Sequence, residues 1–214
     1  MRKYIEEKKL IVILRGLTLE QALQTAQSLY HAGVRLVEYA YDGREADEQN
    51  ANVLAGLCEA FKGRLHIGAG TVTSLKRLDL AARAGAKYII SPDTNPNIIK
   101  ETVRRGLVSI PGALTPTEIC NAVNAGADFV KLFPISAMYP HYLRDICAPL
   151  GTIPLLAVGG VNLDNCNFYL AQGCAGVCIG SQLVVKDWIQ SGQYNRIESL
   201  ARQYVEAVAR GGCK

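Results

Sequence analysis

Short β-rich runs alternate with amphipathic, helix-like segments along all 214 residues, and that alternation leaves few folds open. The β-rich runs fall at 11–15, 34–40, 65–69, 88–91, 107–110, 129–133, 154–158 and 176–179. They are nearly continuous in apolar residues, as strands of a parallel sheet covered by helices must be. Helical periodicity occupies 18–30, 50–61, 74–83, 95–105, 115–124 and 163–171, and a further apolar period over 196–209 closes the chain. A weak recurring element marks the joints: a helix end, a glycine, then a strand. It reads His31-Ala32-Gly33-Val34, Arg83-Ala84-Gly85-Ala86, Asn124-Ala125-Gly126-Ala127 and Ala171-Gln172-Gly173-Cys174. Glycine at such a joint is free to take the left-handed conformation that ends a helix. Eight strand–helix units predict an α/β fold, a single (β/α)8 TIM barrel over 1–214 with no linker and no second domain.

Composition narrows the function classes. A hydrophobic content of 49% supplies one sizeable core. The net charge of +4, from 23 basic and 19 acidic residues, is mild. No Lys/Arg run exceeds two residues, so no nucleic-acid footprint is expected, whereas a small anionic ligand would suit the balance. No apolar run reaches membrane-spanning length. The start, Met1-Arg2-Lys3-Tyr4-Ile5-Glu6-Glu7-Lys8-Lys9, is charged and reads as leading straight into a strand, without a secretory signal. Seven cysteines are scattered at 58, 120, 147, 166, 174, 178 and 213. An odd count in apolar segments reads as reduced, space-filling thiols of a cytoplasmic protein. Cys174 and Cys178 lack the tight spacing of a metal or redox pair.

In a barrel of this kind the chemistry sits at the C-terminal ends of the strands. Polar residues occur at those ends: Arg15 on the first strand, Glu38 on the second, Thr71 just after the third, Lys131 on the sixth and Ser181 just after the eighth. On strand two Leu36, Glu38 and Ala40 share one face, and on strand six Phe129, Lys131 and Phe133 share one parity. A carboxylate on the inward face of a barrel strand is costly unless it has a partner or a role. Lysine is almost never buried without one. Desolvation disfavours a charged amine, and the free base is the nucleophile that attacks carbonyls. Two plainer readings compete: a Lys131 whose stem lies on the core while its head reaches water, and a structural Glu38–Lys131 ion pair. Convergence of Arg15, Glu38 and Lys131 at one mouth favours chemistry.

A second constellation is glycine-rich, Val158-Gly159-Gly160-Val161 after strand seven and Gly180-Ser181 after strand eight. In α/β barrels these two loops commonly bind phosphate through backbone N–H groups, and glycine lets the backbone come close. Metal use is not expected. His31, His66 and His141 are far apart in sequence and form no ligand-spaced pair, and His31 falls at a helix end.

These motifs resemble the pyruvate-dependent class I aldolases that act on 2-keto-3-deoxy-6-phosphogluconate, its galactonate epimer and 2-keto-4-hydroxyglutarate. The resemblance runs from about Leu10 to the end. It rests on Ile13-Leu14-Arg15-Gly16, Val37-Glu38, Gly68-Ala69-Gly70-Thr71-Val72, Ser91-Pro92, Pro111-Gly112, Lys131-Leu132-Phe133-Pro134, Val158-Gly159-Gly160-Val161 and Gly180-Ser181, in this order at strand ends. It implies that Lys131 forms the Schiff base and that Glu38 shuttles protons. Arg15 and Thr71 would contact the keto-acid end or its neighbouring groups, and Gly159, Gly160, Gly180 and Ser181 the phosphate. It also implies a homotrimer, no cofactor, and cleavage to pyruvate and glyceraldehyde 3-phosphate.

Two departures point to the galactonate branch. The gluconate branch carries a carboxylate-binding arginine four residues after the strand-two glutamate, where this chain has Asp42; Arg15 or Arg44 would then supply the charge. The same branch has threonine before the Gly-Gly, where this chain has Val158. The segment Ser136-Ala137-Met138-Tyr139-Pro140-His141-Tyr142 is also galactonate-like, whereas Tyr39-Ala40-Tyr41-Asp42-Gly43-Arg44 matches neither branch well. Two other classes stay open on the residues alone. One is a phosphate-binding barrel isomerase, epimerase or transferase without imine chemistry; the other is a non-catalytic sugar-phosphate-binding protein.

Overall fold

A computed structural model describes residues 1–139 and 141–211. Cys213, and Pro140 in the segment after Lys131, lie outside the described residues. Parallel strands β1 (Leu10–Arg15), β2 (Leu36–Ala40), β3 (His66–Gly70), β4 (Tyr88–Ile90), β5 (Val108–Ile110), β6 (Gly112–Ala113), β7 (Val130–Leu132), β8 (Leu155–Val158) and β9 (Gly176–Ile179) form one sheet. Its order is β5-β4-β3-β2-β1-β9-β8-β7-β6. The two ends of that order, β5 and β6, are consecutive in sequence, so the sheet curls into a barrel and closes on itself.

The predicted fifth strand, 107–110, is only the first half of this part of the barrel; a second short strand, Gly112–Ala113, follows beyond Pro111. Pro111 is the reason: it has no N–H to give to a ladder. The first half pairs with β4 through Tyr88↔Val108, and the second pairs with β7 through Gly112↔Lys131. The Pro111 carbonyl accepts from the Lys131 N–H at 2.9 Å. Nine short strands thus make an eight-fold barrel.

Helices α2 (Leu19–His31), α3 (Asp47–Ala60), α4 (Leu75–Arg83), α5 (Pro96–Arg104), α6 (Pro116–Asn124), α8 (Cys166–Ala171) and α10 (Tyr194–Arg210) answer the predicted periods. Their starts are written in the sequence. Thr18 and Thr115 each accept from the backbone N–H three residues on, while Gln21 and Glu118 reach back, completing two capping boxes. Ser74 caps α4 by accepting from the Arg77 N–H, without a reciprocal bond. The glycines at the helix–strand joints, Gly33, Gly85, Gly126 and Gly173, all have positive φ.

Three helices were not predicted: α1 (Arg2–Lys8), α7 (Tyr142–Leu150) and α9 (Lys186–Gln190). The first replaces the expected direct entry into a strand. It escapes a search for apolar periodicity because it buries only Ile5. Helix α7 buries Tyr142, Leu143 and Ile146 but carries Pro149, which disguises its last turn. Helix α9 is only five residues long.

Two apolar compartments result. The larger lies between strands and helices. The smaller fills the barrel itself, with Ile11, Leu36, Tyr88, Phe129 and Leu156 among its members. Ile5, 0% exposed, closes it from the N-terminal side. Because side chains alternate along a strand, Leu36 and Phe129 occupy the same inward rows as Glu38 and Lys131, one step nearer that floor. The apolar filling thus ends where the polar residues begin.

Candidate active site

A cavity of about 730 Å³ opens at the C-terminal ends of the strands. Arg15, Glu38, Thr71 and Lys131 line it, as do Val158, Gly159, Gly160, Gly180 and Ser181. These residues come from β1, β2, β7, β8 and the turns after β3, β8 and β9, so the barrel gathers positions spread along the sequence from 15 to 181.

Glu38 sits deepest. It is 1% exposed, and neither carboxylate oxygen has a hydrogen-bond partner among the described residues. The structural Glu38–Lys131 hydrogen-bonded ion pair is therefore not formed. Burial raises the pKa of the Glu38 carboxyl above the ordinary carboxylate value, while the positive charges of Lys131 and then Arg15 pull it partly back. Space for this side chain comes from β3. A methyl group on Gly70 would fall 1.6 Å from Glu38 Oε1, an impossible contact. Gly68 does the same for Tyr88, whose ring lies across the barrel and whose hydroxyl donates to the Val37 carbonyl at 2.8 Å. The Gly68-Ala69-Gly70 run is thus a pair of notches cut for two bulky inward neighbours.

Lys131 is 6% exposed, and its Nζ lies 4.7 Å from the centre of the Phe133 ring. An aromatic face stabilises a cationic amine modestly without occupying it as a carboxylate would. The amine stays accessible to the cavity.

Arg15 and Thr71 form the opposite wall, with Arg15 Nη2 donating to Thr71 Oγ1 at 2.9 Å. Thr71 has φ 59°, left-handed backbone that a β-branched residue rarely adopts. Such a conformation costs on the order of 1–3 kcal/mol and persists only where its surroundings enforce it. Arg44 does not line the cavity. Its guanidinium grips Asp42 at 2.9 and 2.5 Å, which holds the Asp42 carboxyl well below the usual carboxylate range.

The glycine turns form the third side. Gly159 and Gly160 have φ 94° and 71°, which side-chain-bearing residues avoid. Asn165 Nδ2 steadies the turn by donating to the Gly160 carbonyl at 3.0 Å. After β9 the Gly180 carbonyl accepts from the N–H groups of Leu183 and Val184 at 3.0 and 2.9 Å, curling Gly180-Ser181 around the cavity edge. Val158 is 3% exposed and sits beside the first turn. Lys186, at the start of α9, also lines the cavity and was missed. Its only sequence signal was a cation five residues beyond Gly180-Ser181 in a segment without strand or long-helix periodicity. Among the described residues no three His, Cys, Asp or Glu side chains come together in a way that suits a metal ion.

Fold and cavity together define a barrel protein built around a buried lysine and a buried carboxylate. The family model for KDPG and KHG aldolase, named for 2-keto-3-deoxy-6-phosphogluconate and 2-keto-4-hydroxyglutarate, matches residues 1–200, and the chain belongs to that family. It is 32% identical to 2-dehydro-3-deoxy-6-phosphogalactonate aldolase of Escherichia coli (strain K12), over 93% of this chain and 96% of that one. It is 33% identical to 2-dehydro-3-deoxy-phosphogluconate aldolase of Dickeya dadantii (strain 3937), over 87% and 86%. The native KDPGal structure superimposes with a TM-score of 0.84 at 34% identity, covering 94% of this chain and 95% of that one.

The raised Glu38 pKa has a signed consequence for stability. A carboxyl whose folded-state pKa exceeds its unfolded value stabilises the fold below the unfolded pKa, and that contribution is lost as pH rises through the folded one. Glutamine stays neutral throughout. Glu38→Gln should therefore melt with the wild type below about pH 4 and increasingly above it as pH rises through neutrality. Differential scanning calorimetry across that range checks the expectation; a constant offset would mean that Glu38 titrates normally.

Proposed function

We propose that the protein is a metal-independent class I aldolase that cleaves a 2-keto-3-deoxy-6-phospho-sugar acid to pyruvate and glyceraldehyde 3-phosphate. The observation that carries this reading is the pairing, in one cavity, of a buried amine with a buried carboxylate that accepts no hydrogen bond from any group among the described residues.

Lys131, as the free base, adds to the substrate ketone. Loss of water gives an iminium ion, the electron sink for breaking the bond between carbons three and four. Glu38 takes the proton of the carbon-four hydroxyl, directly or through a water, and glyceraldehyde 3-phosphate departs. The same carboxyl returns the proton to carbon three of the enamine, and hydrolysis of the imine frees pyruvate and Lys131. A raised carboxyl pKa suits a group that must accept and give a proton in one turnover. Arg15 and Thr71 receive the keto-acid end, and Gly159, Gly160, Gly180 and Ser181 receive the phosphate. We extend the proposal to a homotrimer of one-domain chains spanning 1–214, working in the cytoplasm in Entner–Doudoroff-type sugar-acid breakdown. Family resemblance supports the trimer and the pathway, and six unpaired thiols among the described residues support the compartment.

Incubation with pyruvate and borohydride should add one reduced pyruvate per chain, and peptide mass spectrometry should map it to Lys131. Labelling elsewhere, or none, would return the protein to the isomerase, transferase or non-catalytic classes. Glu38→Gln should cut turnover by roughly two to four orders of magnitude while the fold survives. Near-wild-type turnover in that variant would remove Glu38 from the chemistry.

Val158 bears on the carbon-four epimer. A threonine there can hydrogen-bond the carbon-four hydroxyl in one configuration, and valine, of nearly the same shape, cannot. The wild type should accept the galactonate substrate at least as well as the gluconate one. Val158→Thr should shift the ratio of kcat/KM values toward gluconate by up to about tenfold, the worth of one such bond. Side-by-side pyruvate-release assays on the two substrates measure it.

A further inference from the structure

We infer that the Asp47–Arg77 ion pair is a positioning device for the keto-acid corner of the cavity, acting through the strained backbone of Thr71. Thr71 stands at φ 59°, and three bonds from different elements hold it there. Arg15 Nη2 donates to its hydroxyl at 2.9 Å. The next N–H, of Val72, donates to the Ile90 carbonyl at 3.2 Å. Arg77 Nη1 donates to the Thr71 carbonyl at 3.0 Å from behind the cavity wall.

Arg77 lies on the first turn of α4 and does not line the cavity. Its Nε is tied to Asp47 Oδ1 on the first turn of α3 at 2.7 Å, and its guanidinium sits 5.5 Å from the centre of the buried Tyr41 ring. Both charged side chains are largely shielded, 18% and 20% exposed, so this pair is less screened than the chain's other acid–base contacts on the surface. The guanidinium thus has one donor on a carboxylate that fixes its position and another on the strained carbonyl. Without it, Thr71 has less to keep it out of its relaxed backbone region, and its hydroxyl no longer meets Arg15. Because position 42 carries an aspartate already engaged by Arg44, the corner has no second arginine from β2, and correct placement of Arg15 and Thr71 matters the more.

The inference rests on the aldolase reading, and pyruvate trapping separates the two. Pyruvate occupies the keto-acid corner alone, so the pyruvate concentration that half-saturates borohydride trapping reads that corner, and inhibition by inorganic phosphate reads the glycine turns. Arg77→Gln should raise the half-saturating pyruvate concentration by about tenfold, the effect of losing one charge-assisted hydrogen bond. Asp47→Asn should raise it by about threefold, since Arg77 survives with a weaker anchor. Arg77→Lys, which keeps the charge, should recover most of the loss. Inhibition by phosphate should not change in any of them. Unchanged pyruvate saturation in folded Arg77→Gln overturns the inference, as does a loss that affects pyruvate and phosphate alike. Should Arg77→Gln fail to fold, Asp47→Asn decides by the same criterion. A wild type that pyruvate does not label overturns the aldolase reading itself, and this inference with it.

Discussion

Everything at the mouth of this barrel depends on keeping a carboxylate dry. Burying an acid without a hydrogen-bond partner is among the costlier things a fold can do. Here the cost is met by geometry in three places at once. Gly70 removes the atom that would collide with the Glu38 oxygens. Leu36 and Phe129 fill the rows beneath, so that water does not reach Glu38 from below. Lys131 and Arg15 stand near enough to lower the penalty by charge, without closing into a salt bridge that would leave the acid inert. An ion pair with Lys131 would relieve the cost of the buried acid and spoil the site, whereas a side chain on Gly70 would collide with the acid and displace it.

A second stored tension lies across the cavity, in the left-handed backbone of Thr71. The two differ in kind. Glu38 is held in an unfavourable solvent and Thr71 in an unfavourable conformation, and each is enforced by its neighbours. Strain of this sort concentrates where a protein must present groups in an arrangement a relaxed chain would not adopt.

Much of this was legible in the sequence, because the signals were local or periodic. The glycines at the helix–strand joints declared helix ends. Inward parity on two strands placed Glu38 and Lys131 together once a barrel was assumed. What escaped depended on contacts between distant segments or on pieces too short to show a period. Pro111 inside an apolar run does not announce that its two sides serve different neighbours. Seven residues with one buried side chain, Ile5, do not announce a helix. Asp47, Arg77 and Thr71 are separated by up to 30 residues, and nothing in their spacing says that one guanidinium joins them. Arg44 shows the converse: as a free cation near the second strand it suggested a ligand for substrate, but Asp42, two residues away, claims it.

The small helix that seals the barrel floor has a consequence for traffic. With Ile5 and the aromatic rows filling the N-terminal side, the cavity opens at the C-terminal ends of the strands. On the proposed chemistry the phosphorylated fragment, near the glycine turns at the rim, lies between the imine at Lys131 and the solvent. The water that hydrolyses the imine then arrives through the path this fragment vacates. On that chemistry the aldehyde departs before pyruvate, and in the synthetic direction pyruvate binds before the aldehyde, so the filled floor and the rim turns match the order that the imine imposes.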